Sequence, residues 1–183
     1  MIPTTTLDRI RAHSPCESGY KKLCKGLGGI REYGEDTPIT VRQIVEINGL
    51  DDALWCLRTM PEQDARWRLL AERYARRVQH LMPDQFSLEA TDVAERHAFG
   101  LDTGDKLADA RIAAGRVAEG SRIYARVARA AGEGAAELAA RLVKRLVAHA
   151  AARASGAAAR NAAWDAEHQW QAEELIRISE EEL

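Results

Sequence analysis

Aromatic residues make up only 5% of this 183-residue chain, and proline occurs five times, cysteine three times. Each scarcity excludes something. Cys16, Cys24 and Cys56 form an odd set with no CxxC spacing, which rules out a disulfide framework and points to a reducing compartment. A zinc site needs three or four ligands at suitable spacing. The nearest approach to one, His13, Cys16 and Cys24, has no second half, so the thiols read as small core residues. No stretch reaches the ~20 apolar residues that cross a bilayer, and the longest apolar runs are alanine, so the expectation is a cytoplasmic protein without membrane contact. A formal net charge of −2 argues against a protein that coats duplex nucleic acid and against an acidic mimic of it.

What the chain has in abundance is alanine. Between Ala108 and Ala163, 23 of 56 residues are alanine, the best helix former, which leaves a helix thin enough for close neighbours. Charge is segregated along the sequence. Residues 1–104 sum to −2, residues 105–160 to +6 and residues 161–183 to −6. The expected fold is all-α: a compact N-terminal helical bundle over 1–103 and an alanine-rich antiparallel helical hairpin or three-helix extension over 104–183, packed on it.

Punctuation divides the first part into short helices. Thr6 to Ala12 reads as a first turn or two ended by Pro15, and Ser18 as the cap of a helix bearing Tyr20, Leu23 and Cys24. Gly26-Leu27-Gly28-Gly29 follows that helix without the GxGxxG spacing of a phosphate cradle, so it reads as a C-cap and loop. Thr40 caps Val41 to Asn48, with a β-strand as the alternative because branched residues are dense there. Asp51 or Asp52 then opens a helix over Ala53 to Met60. The clearest periodicity, Trp67, Leu70, Tyr74, Val78 and Leu81, predicts one long helix from Asp64 to Met82, and Ser87 to Phe99 predicts another. From Gly104 onward the best break points are Gly132-Glu133-Gly134 and Ser155-Gly156. Leu138, Leu142, Val143, Leu146 and Val147 form a stripe between them, and Trp164, His168, Leu175 and Ile178 lie in line after them.

No motif of hydrolytic, phosphoryl-transfer or metal chemistry is present, and His80, His97 and His168 stand apart from any nucleophile. The expectation is a protein that is not an enzyme and uses no cofactor. Two arginine stripes at helical spacing are the candidate binding residues: Arg66, Arg73 and Arg77 on the long helix, and Arg122, Arg126 and Arg129 in the basic middle. Either meets phosphates or an acidic protein patch, or is a solvated face neutralised by the acidic tail. Few aromatics lie among these arginines, which weighs against single-stranded RNA.

The phrase Asn48-Gly49-Leu50-Asp51-Asp52-Ala53-Leu54-Trp55-Cys56-Leu57-Arg58, the helix through Ala75-Arg76-Arg77-Val78, the segment Asp92-Val93-Ala94-Glu95-Arg96 and the closing Trp170-Gln171-Ala172-Glu173-Glu174-Leu175 together resemble small alanine-rich proteins of phages and mobile elements, some of them labelled immunity proteins. The resemblance runs from about Leu7 to Ile178 and implies a non-enzymatic protein whose partner is a bacterial protein or nucleoprotein complex. The function it implies first is a phage-encoded inhibitor of host defence of the anti-CRISPR type, occluding or displacing a target subunit. The alternatives are an immunity protein or antitoxin for a cognate toxin, and a nucleic-acid binder acting through the basic middle. Alanine-rich faces pack equally well within and between chains, leaving monomer and homodimer both open.

Overall fold

The computed structural model describes residues 2–81, 85–115, 124, 126–127, 130–131 and 135–181, without the side chains of 98, 111, 114–115, 149 and 153–155. The chain is all-α apart from one small sheet. Two compact units are present, Met1–Gln63 with Ala172–Leu183, and Asp64–Gln171. The change of composition near residue 103 falls inside the second unit.

The first unit begins with β1 (Thr4–Thr5), which pairs antiparallel with β2 (Ile39–Thr40) through Thr4 opposite Thr40 and Thr5 opposite Ile39. Around this two-stranded sheet run α1 (Leu7–Ala12), α2 (Glu17–Gly26), α3 (Ile30–Tyr33), α4 (Val41–Asn48) and α5 (Leu50–Cys56), followed by 3-10 turns over Leu57–Thr59 and Pro61–Gln63. Thr6 caps α1 by accepting the Arg9 amide. Thr40 and Gln43 form a reciprocal capping box on α4, whose helical state settles the helix-or-strand alternative.

Two expected boundaries move. The cap of α2 is Cys16, whose Sγ accepts the Gly19 amide at 3.4 Å, and Ser18 sits inside the first turn. Helix α5 starts at Leu50 because Gly49 takes the N-cap position, so Asp51 and Asp52 fall in the first turn, where carboxylates complement the helix dipole. The buried core of this unit comprises Leu7, Ile10, Leu23, Ile39, Val41, Ile44, Leu50, Leu54 and Met60, with Leu175 and Ile178 supplied by the C-terminal segment. Arg42 ties that segment down with a fork of two 2.6 Å bonds to Glu180. Cys24 and Cys56 are buried, and burial beside Asp52 pushes the Cys56 thiol up to about 12, leaving it inert.

The second unit contains α6 (Asp64–Arg77), α7 (Gln85–Ala98), α8 (Gly104–Gly115), α9 (Ala136–Ser155) and the first part of α10 (Ala157–Glu180). Helix α6 is shorter than its periodicity predicts. Its last turn tightens into a 3-10 turn over Gln79–Leu81, with Val78 N–H donating to Ala75 and Leu81 N–H to Val78, so carbonyls at the terminus are used by shorter steps. Helix α7 starts at Gln85, two residues before Ser87. Trp67, Leu70, Tyr74 and Val78 are all buried, as their spacing requires, and α6 packs on α7 and α9. The break at Gly156 is real: φ of +87° is a left-handed conformation that a side chain resists, and it separates α9 from α10. Gly132-Glu133-Gly134 lies outside the described residues. Among the described residues no helix is long and apolar enough to cross a membrane.

Helices α2 and α4 meet at Gly26. A Cβ there would lie 2.3 Å from Ile47 Cγ2 and 3.0 Å from its Cγ1, so the approach depends on the missing side chain. Gly26→Ala is expected to lower stability by about 1–3 kcal/mol in urea titration, against the helix propensity of alanine. Adding Ile47→Ala should recover part of the loss if the clash is its source.

Candidate functional site

Helix α10 turns inward with polar residues where the sequence suggested an apolar line. Glu167 and Gln171 are buried in the second unit, while Trp164 is 39% exposed. A scan for apolar periodicity misses this face because it carries a carboxylate and an amide. Both are answered. Tyr74 Oη donates to the Gln171 carbonyl at 2.9 Å, and Gln171 Nε2 donates to the Ala140 carbonyl and to Glu167 Oε1, each at 3.1 Å. These bonds join α6, α9 and α10 through groups fixed at one register. Trp170 is covered by Tyr74, edge-on with centroids 6.0 Å apart, and by Arg77, whose guanidinium carbon sits 4.6 Å from its centroid.

The first arginine stripe is therefore not one exposed face. Arg66 is buried at 5% exposure. Arg73 is half-exposed beside Glu72, Nε 3.9 Å from its Oε2. Arg77 donates to Glu167 Oε2 at 3.3 Å while stacking on Trp170. Of the second stripe, Arg126 is exposed, and Arg122 and Arg129 lie outside the described residues. The arginine that organises α6 against α7 is Arg76, which pairs with Glu72 at 2.5 Å, with Asp92 at 3.2 Å and with Glu95. Arg68 pairs with Asp64 at 2.6 Å one turn before it.

Glu72 is the most unusual charge in this cluster. It is fully buried, and neither carboxylate oxygen has a hydrogen bond of good geometry. Burial, with Glu95 adding repulsion, raises its pKa to about 7 against the pull of Arg76 and Arg73. Burial likewise raises Glu167, opposed by Arg77 and Gln171. Among the described residues no group of three His, Cys, Asp or Glu is arranged to hold a metal ion.

Two surfaces of the second unit face outward with distinct chemistry. The α7–α8 hairpin carries Phe86, Phe99, Leu101 and Ile112, four of the seven large apolar residues exposed among the described residues. Its tip is fixed. Asp102 accepts from Arg96 Nε and from Lys106 Nζ, both at 2.7 Å, and these cations hold its carboxyl below the usual range; the His97 ring nitrogen donates to the Asp102 carbonyl. Glu89, Asp105 and Asp109 lie on the same two helices, and residues 85–115 as a whole carry six acids against three bases. The other surface is a groove of about 370 Å³ lined by Arg145 and Ala148 of α9 and by Arg160, Asn161 and Trp164 of α10. No periodic stripe runs through these residues because they come from two helices on either side of Gly156.

No family model, curated protein or solved structure matches the chain.

The buried carboxylates make stability depend on pH. The folded state keeps the Glu72 proton up to about 7, while the unfolded chain loses it near the ordinary glutamate value of 4.5, so stability falls as pH rises between those values. Each full pH unit of that window costs about 1.4 kcal/mol at most, and Glu167 adds in the same direction. Glu72→Gln, which cannot ionise, should flatten the fall in urea midpoint between pH 5 and pH 7. An unchanged slope would assign the pH dependence to other groups.

Proposed function

We propose that this chain is a non-enzymatic binding protein, an inhibitor of bacterial host defence of the anti-CRISPR type, and that the α7–α8 hairpin is its contact surface. The observation that carries the surface assignment is the exposure of Phe99 and Leu101, at 51% and 73%, on a loop tip held rigid by Asp102. Apolar side chains of this size normally leave solvent, and the two on this one loop are left outside together. A fixed tip loses little conformational freedom when it docks. The acidic residues of both helices favour a target whose apolar recess has a basic rim. Nucleic-acid-binding surfaces of effector complexes are basic in this way, so the hairpin would act by occupying the place of the nucleic acid. The resemblance to phage and mobile-element proteins supports the biological setting. Arg66 and Arg77 are committed internally, so the contact surface is placed on the hairpin in preference to the first arginine stripe.

The test is phage plaquing on bacteria with defined active CRISPR systems, expressing the wild-type chain or Phe99→Asp/Leu101→Asp. Restored plaquing by wild type, reduced at least tenfold by the double variant with its helical circular dichroism intact, is the expected result. Rescue of cells from a toxin encoded beside the gene, with no effect on plaquing, would replace the inhibitor by the immunity-protein alternative. Plaquing restored equally by both chains would move the contact surface elsewhere, and Arg126→Glu would then be the next variant to examine.

A further inference from the structure

The groove between α9 and α10 belongs to the same unit but has the opposite character. Most arginines among the described side chains are answered by carboxylates, among them Arg9 by Glu62, Arg42 by Glu180, Arg96 by Asp102 and Arg141 by Glu137. Arg145 and Arg160 have no such partner among the described residues, and both are exposed at the rim of one concavity. Asn161 adds an amide, able to donate and accept, and Trp164 adds an indole that remains 39% exposed although tryptophan gains much from burial. Lys144 Nζ lies 5.4 Å from the centroid of that ring and 3.2 Å from His168 Nδ1, adding positive charge on one face of the indole. Arg160 and Asn161 stand in the opening turn of α10, where the helix dipole adds to the same field.

The geometry points to a nucleotide site: a planar base carrying a phosphate, seated in this groove with its phosphate between Arg145 and Arg160 and its base on Trp164. Guanidinium forks match phosphate oxygens in pairs, and base-to-aromatic stacking supplies contact that needs no particular sequence. Asn161 is placed to meet a base edge or a sugar hydroxyl. A volume of about 370 Å³ is at the scale of small-ligand pockets and matches one nucleotide rather than a dinucleotide cofactor. A bare carboxylate would use the arginines and leave the indole idle. The ligand comes either from free nucleotide or from one residue of a single strand. This site is independent of the hairpin and stands or falls separately from it.

The experiment uses the full chain at low and at 200 mM salt with three probes: adenosine monophosphate and inorganic phosphate by calorimetry, and a fluorescein-labelled twelve-nucleotide single-stranded DNA by anisotropy. Arg145→Glu/Arg160→Glu and Trp164→Ala are made separately. Both alter exposed side chains, and circular dichroism confirms that each is folded. Binding of the nucleotide or of the DNA, weakened at least tenfold by the arginine double variant and at least threefold by Trp164→Ala, supports the site. Affinity for the free nucleotide comparable to that for the strand identifies free nucleotide as the source, and affinity for the strand alone identifies nucleic acid. The proposal is overturned by absence of binding to all probes, by binding that neither variant changes, or by inorganic phosphate binding as tightly as the nucleotide with no response to Trp164→Ala.

Discussion

The second unit depends on the hydrogen bonds that converge on Gln171. Alanine packs closely but has little shape, and a helix lined with it slides or rotates against a neighbour at small cost in buried area. The Tyr74 hydroxyl and the Gln171 amide remove that freedom, because each finds its partner only at one register: Tyr74 on the Gln171 carbonyl, and Gln171 on Ala140 and Glu167. A buried donor left without its acceptor costs about 1–3 kcal/mol, comparable to a whole apolar side chain. The polar seam thus supplies the specificity that the alanines lack. The small side chains around it, Ala136, Ala139 and Ala140, supply the closeness.

That seam also explains where the positive charge goes. Burying Glu167 and Glu72 raises both carboxyls, and each is stabilised by an arginine reaching from the exposed edge of α6: Arg77 for Glu167, Arg76 for Glu72. Arg77 serves twice, since the same guanidinium covers Trp170. A row of arginines on an amphipathic helix therefore functions here largely as an internal counter-charge. Exposed charge available to a partner lies elsewhere, at Arg145 and Arg160 beside the Gly156 turn and in the acids of the α7–α8 hairpin.

The helices were legible in the sequence where periodicity and caps agreed. Trp67, Leu70, Tyr74 and Val78 form one buried row, Thr40 caps α4, and Gly156 breaks the alanine-rich half. Boundaries moved where a weak cap stood ahead of the obvious one, as Cys16 does before Ser18 and Gly49 before Asp51. The inward face of α10 was illegible for a physical reason. Glu167 and Gln171 are inside because specific partners accept them, and partners a hundred residues away leave no local trace. The same holds for Arg66, which hydropathy places outside and packing places inside. Neither outward surface was legible: Phe99 reads as the ordinary end of a helix, and the groove is assembled across a turn.

The two outward surfaces differ in sign, and that difference constrains any account that joins them. An acidic hairpin with apolar residues at its tip repels a phosphate backbone, whereas a groove bordered by Arg145 and Arg160 attracts one. A single polyanion cannot satisfy both, so a nucleic acid bound at the groove and a protein bound at the hairpin are separate events, each weakened by salt. A nucleoprotein target offers both chemistries at once, a basic protein surface and the strand it carries. On such a target the hairpin would hold the protein while the groove held a displaced nucleotide. Coupling between the two would then come from shared tethering to one helical unit, through raised effective concentration, with no conformational change needed in between.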